Sequence, residues 1–116
     1  MVAHTGSIPA TIKACETVDM CLSRIIAEVF RLNGTVFITA DHGNAEELIN
    51  PQTGGVETEH SVHPVPFIAV AKKWEGKNIT LAMGVLADVA PTILRTMHIE
   101  VPRSMTGRNL LENMIE

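Results

Sequence analysis

The run 35-TVFITA-40 decides how the rest of the chain is read, because 41-DHGN-44 follows it at once. β-Branched and aromatic residues fill the run, with no polar alternation beyond threonine. That is the pattern of a strand buried on both faces, as in a parallel sheet flanked by helices. Upstream, residues 8–33 read as one long helix. Ile8, Ile12, Cys15, Leu22, Ile25, Ile26 and Val29 recur at helical spacing, with mostly charged residues between them. Ser7 suits the N-cap, Pro9 is tolerated in the first turn, and Asn33-Gly34 is a stop signal.

Downstream, residues 50–63 carry Pro, Gly and many polar groups and read as loop. A second strand is expected over 64–71, PVPFIAVA, with Pro64 and Pro66 keeping its start at a sheet edge. Residues 84–98 read as a second helix, with Pro91 inside its first turn, Asp88 or a neighbour as cap, and His98 near its last carbonyls. The tail, 99–116, reads as a turn and a short amphipathic helix. Helix, strand, loop, strand, helix is an α/β order. Sheets usually hold about five or six strands, and two are few. The chain is therefore expected to be incomplete as a domain, or to cover its strand edges with partner chains.

Composition narrows the function. Of 116 residues, 46% are apolar and 19% charged, enough to build a core, and the net charge is −4. No basic block occurs and aromatics make up 3%, with no Tyr, which argues against nucleic-acid binding. No apolar run reaches the roughly 18 residues of a membrane span, and the N-terminus MVAHTGS lacks a signal-peptide pattern. Cys15 and Cys21 lie in the first helix, on different faces, and are expected to be unpaired buried thiols of a cytoplasmic protein.

The end of the first strand is where open α/β sheets place their sites. Asp41 and His42 stand there, and Gly43 would let the backbone bend so that both side chains converge. A carboxylate with an imidazole suits Mn²⁺, Zn²⁺, Co²⁺ or Fe²⁺ rather than Ca²⁺. Read alone, the pair also suits a turn in which Asp41 caps the next segment and His42 faces solvent. His4 and His60 tip the balance. Together with His42 they place three of five histidines in loops at element junctions, where a metal centre can gather them.

The runs ITADHGNAEELINPQTGG, EHSVHPVPFIAV, LADVAPTIL and SMTGRNLLE, with the opening MVAHTGSIPATIKACETVD, closely resemble the C-terminal end of the cofactor-independent (2,3-bisphosphoglycerate-independent) phosphoglycerate mutases. These enzymes belong to the alkaline phosphatase superfamily. The resemblance covers nearly the whole chain. It implies a partial alkaline-phosphatase-like sheet flanked by helices, with residues 1–116 as the C-terminal portion of a metal-binding phosphatase-type domain. It also implies two divalent ions, usually Mn²⁺, with Co²⁺, Zn²⁺ or Mg²⁺ as alternatives. Asp41 and His42 match the ligands of the ion beside a serine nucleophile, and His4 and His60 match ligands of the other ion. His63 falls where the family often has Asn and is not assigned. The family reaction is the interconversion of 3-phosphoglycerate and 2-phosphoglycerate in glycolysis, through a phosphoserine.

The match has gaps. Ala3 stands where the family pattern has Gly, and the aspartate ligand expected before Met1 is missing. The serine nucleophile, a further aspartate ligand and the inserted substrate-binding domain are likewise expected upstream, so the chain alone is expected to be inactive. Neither Ser7 nor Ser61 sits in a nucleophile context. Two other readings stay open: another superfamily member, such as a phosphopentomutase, phosphatase or sulfatase, and a non-catalytic α/β module that forms homo-oligomers through exposed strand edges.

Overall fold

The structure is a computed structural model that describes residues 2–57, 59–77 and 80–112. It divides into two compact units, Met1–Glu75 and Gly76–Glu116.

In the first unit a 3-10 turn, Ala3–Thr5, leads into helix α1, Ile8–Arg31. Ser7 is the N-cap: its Oγ accepts the Ala10 N–H at 3.4 Å, and Pro9 sits in the first turn, where its missing N–H costs nothing. The helix ends where Asn33 adopts φ 52° and the Gly34 N–H turns back to the Val29 carbonyl at 2.8 Å. The stop signal therefore works through a left-handed asparagine. Strand β1, Thr35–Thr39, follows directly, and strand β2 is Phe67–Ala71. Phe37 stacks on Phe67 with ring centroids 5.7 Å apart.

The two strands pair antiparallel, Thr35 opposite Ala71 through Thr39 opposite Phe67, which corrects the expectation of a parallel sheet. The cause lies in the connection. A parallel pair needs a crossover, usually through a helix, whereas residues 40–66 fold straight back. Antiparallel bridges at Gly43–Ser61 and Ile49–Val56 continue the pairing beyond the strands. The loop read over 50–63 is thus the far end of one long irregular hairpin. Asn50 closes its tip by accepting the Gln52 and Thr53 N–H groups on Oδ1, at 2.9 and 3.1 Å. β2 is also shorter than expected, because Pro64 to Pro66 lie outside the ladder.

β1 is half-buried through most of its length rather than buried on both faces, and both cysteines are exposed rather than buried. Dimensions explain both corrections. A helix of 24 residues is about 36 Å long at about 1.5 Å per residue. A five-residue strand covers only about 17 Å. Leu22, Ile26 and Val29, in the C-terminal half of α1, are half-buried, while Ile8, Ile12 and Ile25 stay exposed. Among the described residues of this unit, Leu48 and Ala71 are the buried apolar side chains.

The second unit is built on Asp88. A 3-10 turn, Leu86–Asp88, precedes helix α2, Val89–Thr96, so the helix expected over 84–98 is regular only in its centre. Asp88 does not cap α2 with its side chain. Its Oδ2 accepts the Val85 N–H at 2.9 Å and its Oδ1 the Arg108 N–H at 2.8 Å, tying the turn to the tail. These amides, Val85 first and then Arg108, hold the Asp88 carboxyl below its ordinary value. His98 lies past the helix end at φ 58°, its backbone N–H on the Arg95 carbonyl at 3.0 Å. Pro91, Thr92, Leu110 and Leu111 are buried. Through residue 111 the tail, expected to be a turn and a short helix, forms turns, with the Leu110 N–H taken by Thr92 Oγ1 and the Leu111 N–H by Asn109 Oδ1, and Glu112 is 3-10 helical. Residues 113–116 of that expectation lie outside the described residues.

Candidate metal centre

His42 comes three residues after β1, and His60 lies on the returning arm of the hairpin. The Gly43–Ser61 bridge sets the register between them. It puts His42 and His60 diagonally across the pair, on one face, where long side chains reach each other. Their rings stack, with centroids 3.5 Å apart and planes 13° from parallel. His4 arrives from the other end of the chain in the Ala3–Thr5 turn, and its ring centroid lies 5.8 Å from that of His60. Gly6 makes that approach possible: at φ 65° it closes the turn, and a Cβ there would run into Val56.

Asp41 Oδ1 lies 3.6 Å from His42 Nε2 and also accepts the His42 N–H at 3.1 Å. His42 Nδ1 is 3.1 Å from the Gly43 carbonyl. A carbonyl can only accept, so this contact is a hydrogen bond in the tautomer that carries its proton on Nδ1, and in that tautomer Nε2 is the ligand atom. That is the arrangement of a metal-binding imidazole, with its second nitrogen held by the backbone. All three histidines and Asp41 face solvent.

Four residues expected at the site from sequence, His4, Asp41, His42 and His60, thus lie in one neighbourhood. Their donors fit a divalent ion by type, imidazole and carboxylate together. The closest contact among them is the stack of His42 on His60, with Asp41 beside His42 and His4 further off, 5.8 Å from His60 by ring centroid. Among the described residues, no three His, Cys, Asp or Glu side chains are arranged around a single ion position. His63 belongs elsewhere: its Nε2 pairs with Glu47 at 3.3 Å.

Gly43 serves differently from the backbone freedom expected of it. It is not among the glycines at positive φ, but a Cβ there would run into Glu46 Oε1 and Ser61 Oγ. Over that bare Cα, the Ser61 hydroxyl donates to Glu46 Oε1, and Glu46 Oε2 accepts the Asn44 N–H at 2.9 Å. Asn44 Nδ2 in turn donates to the Glu59 carbonyl at 3.1 Å. The Ser61 hydrogen bond, more than any other contact, holds the Glu46 carboxyl below its ordinary value.

Asn44, Glu46 and Ser61 lie inside the runs that carry the family resemblance, but their spacing alone does not mark them as site residues. One charge signal marks their neighbourhood: from 41 to 63 the sequence holds Asp41, Glu46, Glu47, Glu57 and Glu59 but no Lys or Arg. A surface of that sign concentrates cations.

Comparison with known proteins agrees with this chemistry. A family model described as the Metalloenzyme superfamily matches residues 1–101. A 2,3-bisphosphoglycerate-independent phosphoglycerate mutase of Clostridioides difficile (strain 630) is 51% identical over 111 residues, which is 96% of this chain and 22% of that protein. The enzyme of the same name from Clostridium acetobutylicum is 51% identical over 97% of this chain and 22% of its own length. That from Psychromonas ingrahamii is 48% identical over 96% and 21%. The likeness to these mutases read from the motifs is borne out, and the chain spans about a fifth of the length of such relatives. With a family match running from the His4 turn to the end of the second helix, the chain belongs to the metalloenzyme superfamily.

Proposed function

We propose that the chain is the metal-binding C-terminal part of a phosphoglycerate mutase, an isomerase interconverting 3-phosphoglycerate and 2-phosphoglycerate through a phosphoserine. The observation that carries the reading is the meeting of His4, His42 and His60, from three separate segments, with Asp41 beside His42. Asp41 and His42 would hold one divalent ion and His4 and His60 another, with Mn²⁺ as the expected metal and Co²⁺, Zn²⁺ or Mg²⁺ as alternatives. Such ions supply positive charge to phosphoryl oxygens and lower the pKa of an attacking hydroxyl. The chain's own residues orient the donors. The Gly43 carbonyl favours the His42 tautomer with its proton on Nδ1, and the hairpin register fixes His42 against His60. The acidic loop around them attracts cations before any anionic substrate arrives.

Each ion would draw two ligands from this chain, whereas catalytic sites commonly use about three. Binding is therefore expected to be weak, and the chain alone to be inactive. Two of its serines have other work: Ser7 caps α1 and Ser61 is bound to Glu46. The reading belongs with glycolysis and the cytoplasm, and among the described residues no helix is long and apolar enough to cross a membrane. Calorimetric titration of the chain with Mn²⁺ tests it. Saturable binding that is lost in His42→Ala is expected. No saturation at millimolar Mn²⁺, or unchanged binding in His42→Ala, refutes the metal role. Turnover of 3-phosphoglycerate by the chain alone refutes the missing-nucleophile part.

A second reading concerns assembly. Among the described residues β1 and β2 pair only with each other, so the outer edge of each strand is open to a second copy. Sedimentation at high concentration decides it, and a monomer rules out edge pairing.

A further inference from the structure

The hairpin arms that carry His42 and His60 are joined at the site by side chains as well as by the backbone. Among the described residues, the one backbone hydrogen bond between the arms at that bridge runs from the Ser61 N–H to the Gly43 carbonyl, at 3.0 Å. One such bond fixes the distance between the arms and leaves them free to twist about it. The Glu46 carboxylate supplies the missing constraint. One oxygen takes the Ser61 hydroxyl from the far arm and the other takes the Asn44 N–H on the near arm. The Asn44 side chain then reaches back to the Glu59 carbonyl. Residues 44 and 46 thus grip 59 and 61, on either side of His60, and Gly43 leaves room for the grip because it has no Cβ.

We propose that Glu46 is a positioning residue: by holding Ser61 and the Asn44 amide it sets the spacing of His42 and His60, and with it the affinity of this face for a divalent cation. Glu46 acts here through Ser61 and Asn44, one on each carboxylate oxygen, rather than as one of the four candidate donors. The inference rests on the metal-binding reading above only in its second half; the spacing of the rings is a property of the metal-free chain. Groups that orient metal ligands commonly change affinity about 10- to 100-fold when removed.

The test uses the full 116-residue chain, isotope-labelled. In the metal-free protein, nuclear Overhauser contacts between the His42 and His60 rings report the stack directly. Mn²⁺ affinity is read separately by electron paramagnetic resonance. Glu46→Ala is expected to lose the ring-to-ring contacts and to weaken Mn²⁺ binding about tenfold or more. Glu46→Gln, which keeps one carbonyl acceptor, is expected to fall between Glu46→Ala and the parent. If Glu46→Ala keeps the ring contacts, and its Mn²⁺ affinity stays within twofold of the parent, the proposal is wrong. If the parent chain binds no Mn²⁺, the metal reading fails, and the ring contacts alone still judge the positioning role. Should Glu46→Ala disturb amide signals outside the hairpin, Ser61→Ala takes its place with the same expected loss, and retained ring contacts there count equally against the proposal.

Discussion

Replacing Thr92 by valine removes one oxygen atom from a fully enclosed side chain of the second unit. Thr92 is 0% exposed. Its hydroxyl donates to the Asp88 carbonyl at 2.7 Å and accepts the Leu110 N–H at 2.9 Å. Valine has nearly the same shape, so no cavity opens. The loss is polar: the buried Leu110 N–H is left without an acceptor, and the Asp88 carbonyl loses a donor. Leaving a buried donor unpaired costs about 1–3 kcal/mol, so Thr92→Val should lose roughly 2 kcal/mol. Thr92→Ser is the control. It keeps both hydrogen bonds and gives up one methyl group, about 1 kcal/mol. Urea denaturation followed by circular dichroism gives the ranking, parent above serine above valine. Amide exchange gives the location, with Leu110 losing protection selectively in Thr92→Val. If burial of apolar surface governed this site instead, valine would match or exceed the parent and serine would rank last. That order would refute the account of Thr92 as the anchor of the tail.

Three further outcomes are expected. The folded Asp88 carboxyl titrates below its ordinary 3.8, so the stability it contributes is present at pH values above 3.8 and is lost as pH falls through the lower folded value. Asp88→Asn should flatten the acid limb of a stability-against-pH curve, and an acid limb identical to the parent's would contradict this. Gly43→Ala should break the Glu46–Ser61 contact by steric conflict, at about 1–3 kcal/mol as for an overpacked site, and should perturb the His42 and His60 ring signals together; unperturbed rings would show that the arms accommodate a methyl group. Cys15 and Cys21, both exposed, should react with an aromatic disulfide reagent in the native state at close to their unfolded rates, and protection of either thiol would count against the exposed face of α1.

Much of the chain was legible because local chemistry decided it. Ser7 caps α1 as its hydroxyl predicts, and the β-branched run after Gly34 is a strand. The direction of pairing was not legible. The run 35-TVFITA-40 looks the same whether its partner lies parallel or antiparallel. Direction was settled by bridges at Gly43–Ser61 and Ile49–Val56, inside a segment whose composition reads only as loop. Nor could the exposure of Cys15 be read from periodicity. Helical spacing identifies an apolar face, but whether anything covers it depends on the extent of the sheet, and here the sheet is shorter than the helix.

The candidate site divides along the same line. His4, Asp41, His42 and His60 stood out because few residue types bind metals and these occupy junctions. Gly43 is legible too, but its sequence context points to a different physical property from the one it serves. A glycine after a strand suggests an unusual φ, yet what this position needs is space. Only the crossing of the two arms reveals it, since Ser61 and Glu46 lie 15 residues apart and meet over the missing Cβ. A local pattern can signal a torsion angle, because torsion belongs to one residue. It cannot signal a close approach, because that belongs to a pair. The candidate donors are therefore written in the sequence, while their spacing resides in the fold, where the Glu46 carboxylate bridges the two arms of the hairpin.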